Sequence, residues 1–384
     1  MIHPSYPVCV GIVGKRGLSS VAGLRSCPGV QVIAFCEADA AVLEREATAH
    51  EMDRRYSSFD DLLSDRDVDA VVIGTPMHLH AAQTIAALQA GKHVLCEVTA
   101  AVTMGECDAV LQAVRAAPTR VYMMAENYCY LRPNVAVREM CQRGVFGNVY
   151  FGEGEYIHEV RNYHRFPDGT PTWRATWQVG VRGCTYGTHS LAPVMQWFRA
   201  AHGENERIAS VSCFGTGVHT DPTHLHDDSC LMICQTTSGR LVKVRVDMLS
   251  NRPHLSDFYA LQGTTGAYEA TRFPGTTGAN ARVWLGDNVP DEGRFWRPFN
   301  EIADDFLPTW YTATEVDAQK AGHGGGDYYT AREFARAIQT GTPPTMDVYD
   351  ALEWTATGLL SQQSIVAGGV PVAVPDYRKV RTSV

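Results

Sequence analysis

The sequence has no apolar run long enough to span a bilayer, which excludes a helical membrane anchor within it. It also lacks a basic leader with a cleavage site. The opening MIHPSYPVCVGIVG runs straight into a strand pattern, so a cytoplasmic location is expected. Basic charge is in deficit, with 33 Lys and Arg against 42 Asp and Glu for a net charge of −9, which argues against a nucleic-acid partner. No Cys-x-x-Cys pair occurs among the 11 cysteines, an odd number scattered from Cys9 to Cys234, so neither a disulfide framework nor a zinc knuckle is implied. The thiols are expected as buried, reduced fillers. Cys230 and Cys234 share one face of a strand without a His or Asp set beside them, and no metal is assigned. Internal repeats, low-complexity tracts and charge blocks are also missing.

What is present is length and rhythm. A chain of 384 residues predicts two domains with full cores. Over residues 7–127, short β-branched runs (7–14, 30–37, 69–75, 93–97, 121–127) alternate with helical stretches, the pattern of a doubly wound parallel sheet. Beyond residue 148 the strand-like runs 149–158, 208–214, 229–235, 240–248 and 257–263 follow with few helices, which predicts a mostly antiparallel sheet. Helices are expected at about 327–339 and 348–366, joined by GTPPTMD. The fold class is therefore α/β, with a doubly wound domain over 1–127 and an α+β domain with an open sheet over 128–384.

The first strand leads into G-I-V-G-K-R-G-L-S, residues 11–19, where backbone N–H groups before a helix favour a pyrophosphate. The G-x-G-x-x-G fingerprint starting at Gly14 is incomplete, because Arg16 and Ser19 stand at its second and third glycines. Glu37 ends the second strand, where a carboxylate accepts from ribose hydroxyls and repels a 2′-phosphate, favouring NAD over NADP. Lys15 and Arg16 keep the alternative open, as partners of an extra phosphate or as solvated turn residues.

The stretch TPMHLHAAQTIAALQAGKHVLCEVTAAVT (75–103) resembles the Gfo/Idh/MocA oxidoreductases, which join a Rossmann domain to an open-sheet substrate domain. That family's Glu-Lys-Pro is Glu97-Val98-Thr99 here, so its lysine is absent, and G-x-x-x-D-x-G-x-H becomes GCTYGTH (183–189), with Thr185 in the aspartate's place. Both departures, with MMAENYCY (123–130), GVFGNVYFGEGEYIHEVR (144–161), TYGTHSLAPVMQW (185–197) and AGHGGGDYY (321–329), resemble the NAD-dependent glycoside hydrolases of the α-N-acetylgalactosaminidase type. The resemblance implies Glu126, Tyr156, Tyr186, His189 and His323 around a sugar. It implies cofactor contacts at Gly14, Lys15, Arg16, Gly17, Leu18, Glu37, Thr75, Pro76, His78, His80, Glu97 and Val98, with Asn127 near the nicotinamide. Open-sheet members commonly pair through the exposed sheet, so a homo-oligomer, dimer or tetramer, is expected.

The implied chemistry oxidises C3 of a glycoside, acidifies C2–H for removal by a general base, eliminates the C1 group, adds water and returns the hydride. This path is a recognised exception to paired-carboxylate hydrolysis. Tyr156, Tyr186 and His189 are the candidate bases, with His189 expected just before a helix whose positive end disfavours an imidazolium. Tyr156 and His158 alternate onto one strand face. From His158 to His189, Arg161, Arg165, Arg174 and Arg182 outnumber Glu159 and Asp168 by 4 − 2 = 2, which points to an anionic sugar such as a sulfoquinovoside. His158, Arg161, Trp173 and Arg174 are the substrate candidates, although these arginines could instead meet cofactor phosphates or another subunit. A plain NAD-dependent sugar or cyclitol dehydrogenase is the alternative, and a non-catalytic binding module is a second.

Overall fold

Apolar runs bounded by turns become the fully covered strands of the amino-terminal half. In the computed structural model, which describes residues 7–249, 251–273, 280–286 and 295–379, six parallel strands form one sheet. They are β1 (Val8–Val13), β2 (Val30–Cys36), β3 (Arg54–Tyr56), β4 (Ala70–Ile73), β5 (His93–Glu97) and β6 (Tyr122–Ala125). Every residue of β4, β5 and β6 is buried, as helices on both faces require. The order β3-β2-β1-β4-β5-β6 reverses direction between β1 and β4, and such a switch point is where ligands of doubly wound sheets bind.

Local signals set the helices. Asp39 caps Ala40–Ala49 by accepting from the amides of Ala41 and Val42, and Thr103 with Glu106 forms a capping box on Met104–Ala116. The helix expected from the glycine turn to Ser26 is instead a 3-10 segment, Lys15–Ser20, followed by one short α-helix, Val21–Arg25. Gly17 folds its N–H back onto Gly14 O at 3.0 Å, the tighter hydrogen bonding that a close turn imposes.

The first compact unit comprises the chain up to Tyr130, Thr314–Leu352 and the residues from Tyr377. Residues 314–352 and 377–379, placed by sequence after a boundary at 127, thus group with the amino-terminal sheet. Close packing is the reason: helix Gly326–Thr340 lies against Val21–Arg25, where a Cβ on Gly23 would run into Tyr328 O. Residues 1–6 and 380–384 of the two expected domains lie outside the described residues.

The second unit, Leu131–Ala313 and Glu353–Asp376, holds a nine-stranded sheet in the order β14-β13-β12-β11-β7-β10-β9-β8-β15. Its strands are β7 (Val149–Ile157), β8 (Ile208–Gly215), β9 (Cys230–Thr236), β10 (Leu241–Asp247), β11 (Leu255–Gly263), β12 (Gly266–Glu269), β13 (Arg282–Leu285), β14 (Arg297–Pro298) and β15 (Val372–Ala373). All pairings are antiparallel except β7 with β10, where Tyr156 sits opposite Val246. The sequence reading missed β3 and β12 to β15, whose two to four residues are too few to display a period. All 11 cysteines are free, and all but Cys9 are buried. Among the described residues no helix is long and apolar enough to cross a membrane.

Helix Thr188–His202 lies directly on β7. Alternation puts Gly152, Gly154 and Tyr156 on one face of that strand. A Cβ on Gly152 would run into Val194 and one on Gly154 into Ser190 O, so two glycines let the helix backbone settle against the sheet. Gly154→Val should therefore lower unfolding stability by about 1–3 kcal/mol, the usual cost of overpacking. Urea denaturation measures it, and an unchanged midpoint would show that the helix does not rest on this glycine.

Candidate functional site

In the first unit the site residues gather at the carboxyl ends of β1, β4, β5 and β6. Gly14 follows β1 with φ of 80°, and a Cβ there would meet Gly74 O at 2.7 Å. Glu37 follows β2 and accepts from the amides of Lys15 at 3.1 Å and Asp39 at 3.3 Å. The Lys15 ammonium lies 3.5 Å from Glu46. Thr75 Oγ1 donates to Gln83 at 2.5 Å, while His80 is buried with its ring nitrogens 2.8 Å from Thr75 O and 2.8 Å from Thr99 O. His80 thereby braces the turns after β4 and β5. Gly17, Leu18 and Met77 are buried beside Pro76 and His78 in the turns after β1 and β4.

Arg16 departs most from expectation. Its guanidinium reaches Asp327 through Nη2 at 3.0 Å and Nη1 at 3.3 Å, and Glu97 at 3.2 Å. Its partners here are two carboxylates. Glu97 ends β5 beside buried Val98. Burial pushes the Glu97 carboxyl up to about 7, against the lowering effect of Arg16.

Glu126 and Asn127 follow β6 and are buried, which excludes a surface role for Glu126. One Glu126 oxygen accepts from the amide of Tyr128 at 3.3 Å. Asn127 Nδ2 donates to Asp327 at 2.7 Å, and its buried Oδ1 has no partner among the described residues. His323 adopts φ of 52° in the glycine loop, with Nδ1 2.9 Å from Asp327 Oδ2. Of the three glycines after His323, Gly326 serves close approach within the chain, since a Cβ there would run into Asn127 O.

These groups fit a dinucleotide. The glycine turn exposes backbone at the switch point, Glu37 offers further lone pairs to ribose hydroxyls, and Asn127 Oδ1 is an acceptor waiting for a donor.

In the second unit, Tyr156, Tyr186, His189 and His158 form one ring cluster. Tyr156 lies 5.1 Å from His189, 5.9 Å from Tyr186 and 5.3 Å from His158, centroid to centroid, and Tyr186 lies 5.4 Å from His189. Helix Thr188–His202 begins earlier than expected, so His189 lies inside its first turn rather than before it. Tyr259 fixes that turn by donating to His189 O at 2.6 Å. Burial and then the neighbouring His254 push the His158 imidazole down to about 4, so it is neutral at pH 7.

The arginines divide. Arg161 is held by Glu159, through Nε at 2.8 and 2.7 Å, and by Asn251. Arg182 makes a bidentate pair with Asp227 at 3.0 and 2.8 Å. Arg165 is exposed and donates to Gly169 O at 3.1 Å. Arg174 stacks 4.4 Å over Trp173 and donates to Gln178 at 2.8 Å. Two of the four arginines thus carry a carboxylate partner, while Arg165 and Arg174 are held by neutral groups, Arg174 stacked on an indole.

Sequence reasoning missed Asp327 and His254. Asp327 stands four residues after His323 in the first turn of a helix, a spacing that could have revealed it; His254 precedes β11 and carried no signal.

A dinucleotide turn on a doubly wound sheet, with a separate open-sheet unit, defines a two-domain protein of the oxidoreductase fold. Residues 8–125 match the oxidoreductase family's NAD-binding Rossmann fold, and residues 130–383 match the glycosyl hydrolase 109 C-terminal domain. The chain belongs to glycosyl hydrolase family 109. A family 109 protein of Saccharopolyspora erythraea is 32% identical, covering 99% of this chain and 84% of its own. One from Shewanella putrefaciens is 29% identical, covering 96% and 84%. Among solved structures, a levoglucosan dehydrogenase with NADH and levoglucosan superimposes with TM-score 0.77 at 21% identity, over 96% of this chain and 100% of that one, a likeness of fold.

Glu97 makes stability depend on pH. Its folded value of about 7 exceeds the ordinary 4.5, so the native state binds more protons in that window, and the stability this contributes is full below 4.5 and lost as pH rises through 7. Glu97→Gln should flatten the decline between those pH values in urea unfolding. An identical slope in variant and wild type would contradict a raised Glu97.

Proposed function

We propose that the protein is an NAD-dependent glycoside hydrolase whose second unit handles protons at the sugar. The observation that carries this reading is the ring cluster of Tyr156, Tyr186, His189 and His158 at the start of one helix. Bound NAD would supply reversible hydride transfer at C3 of the sugar, so that C2–H is acidic while the ketone lasts. The Rossmann unit would hold it through the Gly14 turn, Glu37 and Asn127.

The cluster offers groups suited to removing that proton. A phenol or imidazole can act as general base at C2 and as general acid toward the departing group or incoming water. Neutral His158 is an acceptor or donor without net charge, and it holds one side of Tyr156. Glu159, next to His158, is engaged with Arg161, while Glu155 lies on the opposite face of β7 and pairs with Arg272 at 2.9 Å. The cluster itself is made of phenols and imidazoles, not of the carboxylate pair that direct displacement at C1 uses. Glu126 and His323 in the first unit remain candidates for contacts to the sugar, on the strength of the family resemblance.

For the sugar itself, the reading favours an anionic C6 group such as a sulfonate, held by Arg174 on its Trp173 platform. Arg161 no longer supports this, being occupied by Glu159 and Asn251. A homo-oligomer remains part of the proposal, on the same resemblance.

Chromogenic glycosides with a trace of NAD test the reaction. Many turnovers of aglycone without net NADH, and deuterium at C2 of product formed in heavy water, are expected; stoichiometric NADH would indicate a dehydrogenase instead. Tyr186→Phe and His189→Ala should each cut turnover by roughly 10²–10⁴-fold with little change in NAD affinity. For the substrate class, Arg174→Gln should raise KM for a sulfonated glycoside by about 10–100-fold, the worth of a hydrogen bond to a charge, and leave a neutral one unaffected. Equal effects on both would remove the anionic sugar from the proposal.

A further inference from the structure

The glycine loop and the helix after it enclose a carboxylate with no role in the reading above. Asp327 is buried in the first turn of helix Gly326–Thr340. Its Oδ1 accepts from Arg16 Nη2 at 3.0 Å and Asn127 Nδ2 at 2.7 Å; its Oδ2 accepts from Arg16 Nη1 at 3.3 Å and faces His323 Nδ1 at 2.9 Å. A carboxylate has about four lone-pair sites, and all four are used. No capacity is left for a substrate. What Asp327 can do is orient the three side chains around it.

We propose that Asp327 is a positioning residue that fixes the His323 ring with its proton on Nδ1, leaving Nε2 as the acceptor, and turns the Asn127 amide so that its oxygen is the free acceptor. An ionised carboxylate only accepts, so when the ring is neutral the nitrogen facing it must carry the hydrogen. The same logic orients Asn127, whose NH₂ meets Asp327 and whose buried Oδ1 is left without a partner among the described residues. Arg16 makes the arrangement possible. Burial alone would push the Asp327 carboxyl up, but the hydrogen bond from His323 and the Arg16 charge outweigh it and hold the group below the ordinary range.

The local sequence serves this contact. A Cβ on Gly322 would meet Asp327 Oδ2 at 2.7 Å, and one on Gly326 would run into Asn127 O. His323, Gly324 and Gly325 take φ of 52°, 59° and 90°, a left-handed run that returns the imidazole to a carboxylate only four residues on. For His323, a non-glycine residue, that conformation is strained and persists because its surroundings impose it.

The functional part of this inference rests on the hydrolase reading; the tautomer does not. Histidine-labelled protein with ¹⁵N in both ring positions, full length and free of ligand, gives the tautomer at pH 8, with the His323 signals identified by their absence in His323→Gln. A protonated Nδ1 and bare Nε2 are expected in the wild type, and a shift toward Nε2–H in Asp327→Ala. Turnover on the best glycoside should fall by about 10²–10⁴-fold in that variant, as when the orienting carboxylate of an Asp–His pair is lost, with NAD affinity changed much less. Wild-type His323 with its proton on Nε2 would overturn the proposal even if the variant failed to fold. So would a folded variant that keeps the Nδ1–H form, or one with turnover within about threefold of wild type. The predicted tautomers without glycoside turnover would instead reject the hydrolase reading and leave the orienting contact standing.

Discussion

Backbone brought closer than a Cβ permits is the constraint on which both sets of site residues depend. At Gly74 a Cβ would run into the amide of Gly17, at Gly326 into Asn127 O, and at Gly154 into Ser190 O. Each contact lies just beside a side chain that matters: the dinucleotide turn, Asn127 and His323, and the ring pair of Tyr156 with His189. Hydrogen bonds and ring contacts then refine positions that the main chain has already set. A rigid placement of this kind suits chemistry that loses much of its rate when a group moves by an ångström.

Charge is handled differently in the two units. The first gathers Glu97 and Asp327 around one guanidinium, leaving Asp327 ionised and Glu97 raised to about 7. One arginine cannot satisfy two buried carboxylates equally, and the one that also takes hydrogen bonds from Asn127 and His323 keeps its charge. Arg16 therefore has a structural reason to stand where the usual fingerprint carries glycine. The backbone turn still closes, because Gly14 and Gly17 retain the positions that need small residues.

Much of this was legible in the sequence, and what was not had specific causes. The doubly wound sheet, the long strands of the second sheet and the helices at 326–340 and 348–366 followed from period and turn signals. The edge strands did not, being too short to alternate visibly. Among site residues, Tyr156, Tyr186 and His189 could be named through the family resemblance, yet nothing in the sequence signalled that His158 and His254 pack in a T-shape, or that Gly152 and Gly154 are the seat of a helix. The arginine-rich segment was legible only in part. Glu159 neutralises Arg161 from two residues away, but Asp227 reaches Arg182 from 45 residues on, a pairing invisible to local counting. The contacts of the His80 ring with two backbone carbonyls were likewise not legible, since no motif records them.

The proposed reaction also accounts for the kind of groups gathered around Tyr156. Direct displacement at an anomeric carbon develops positive charge on the ring and calls for a free carboxylate beside it. Elimination next to a ketone develops negative charge instead, on an enolate oxygen, and free carboxylates there would repel it. In the second unit Glu159 is bound to Arg161, and the cluster presents two phenols and two imidazoles, His158 among them neutral, with a helix amino-terminus at His189. The partial positive charge of that terminus favours developing negative charge. A cluster of phenols and imidazoles at a helix end is therefore coherent with carbanion chemistry.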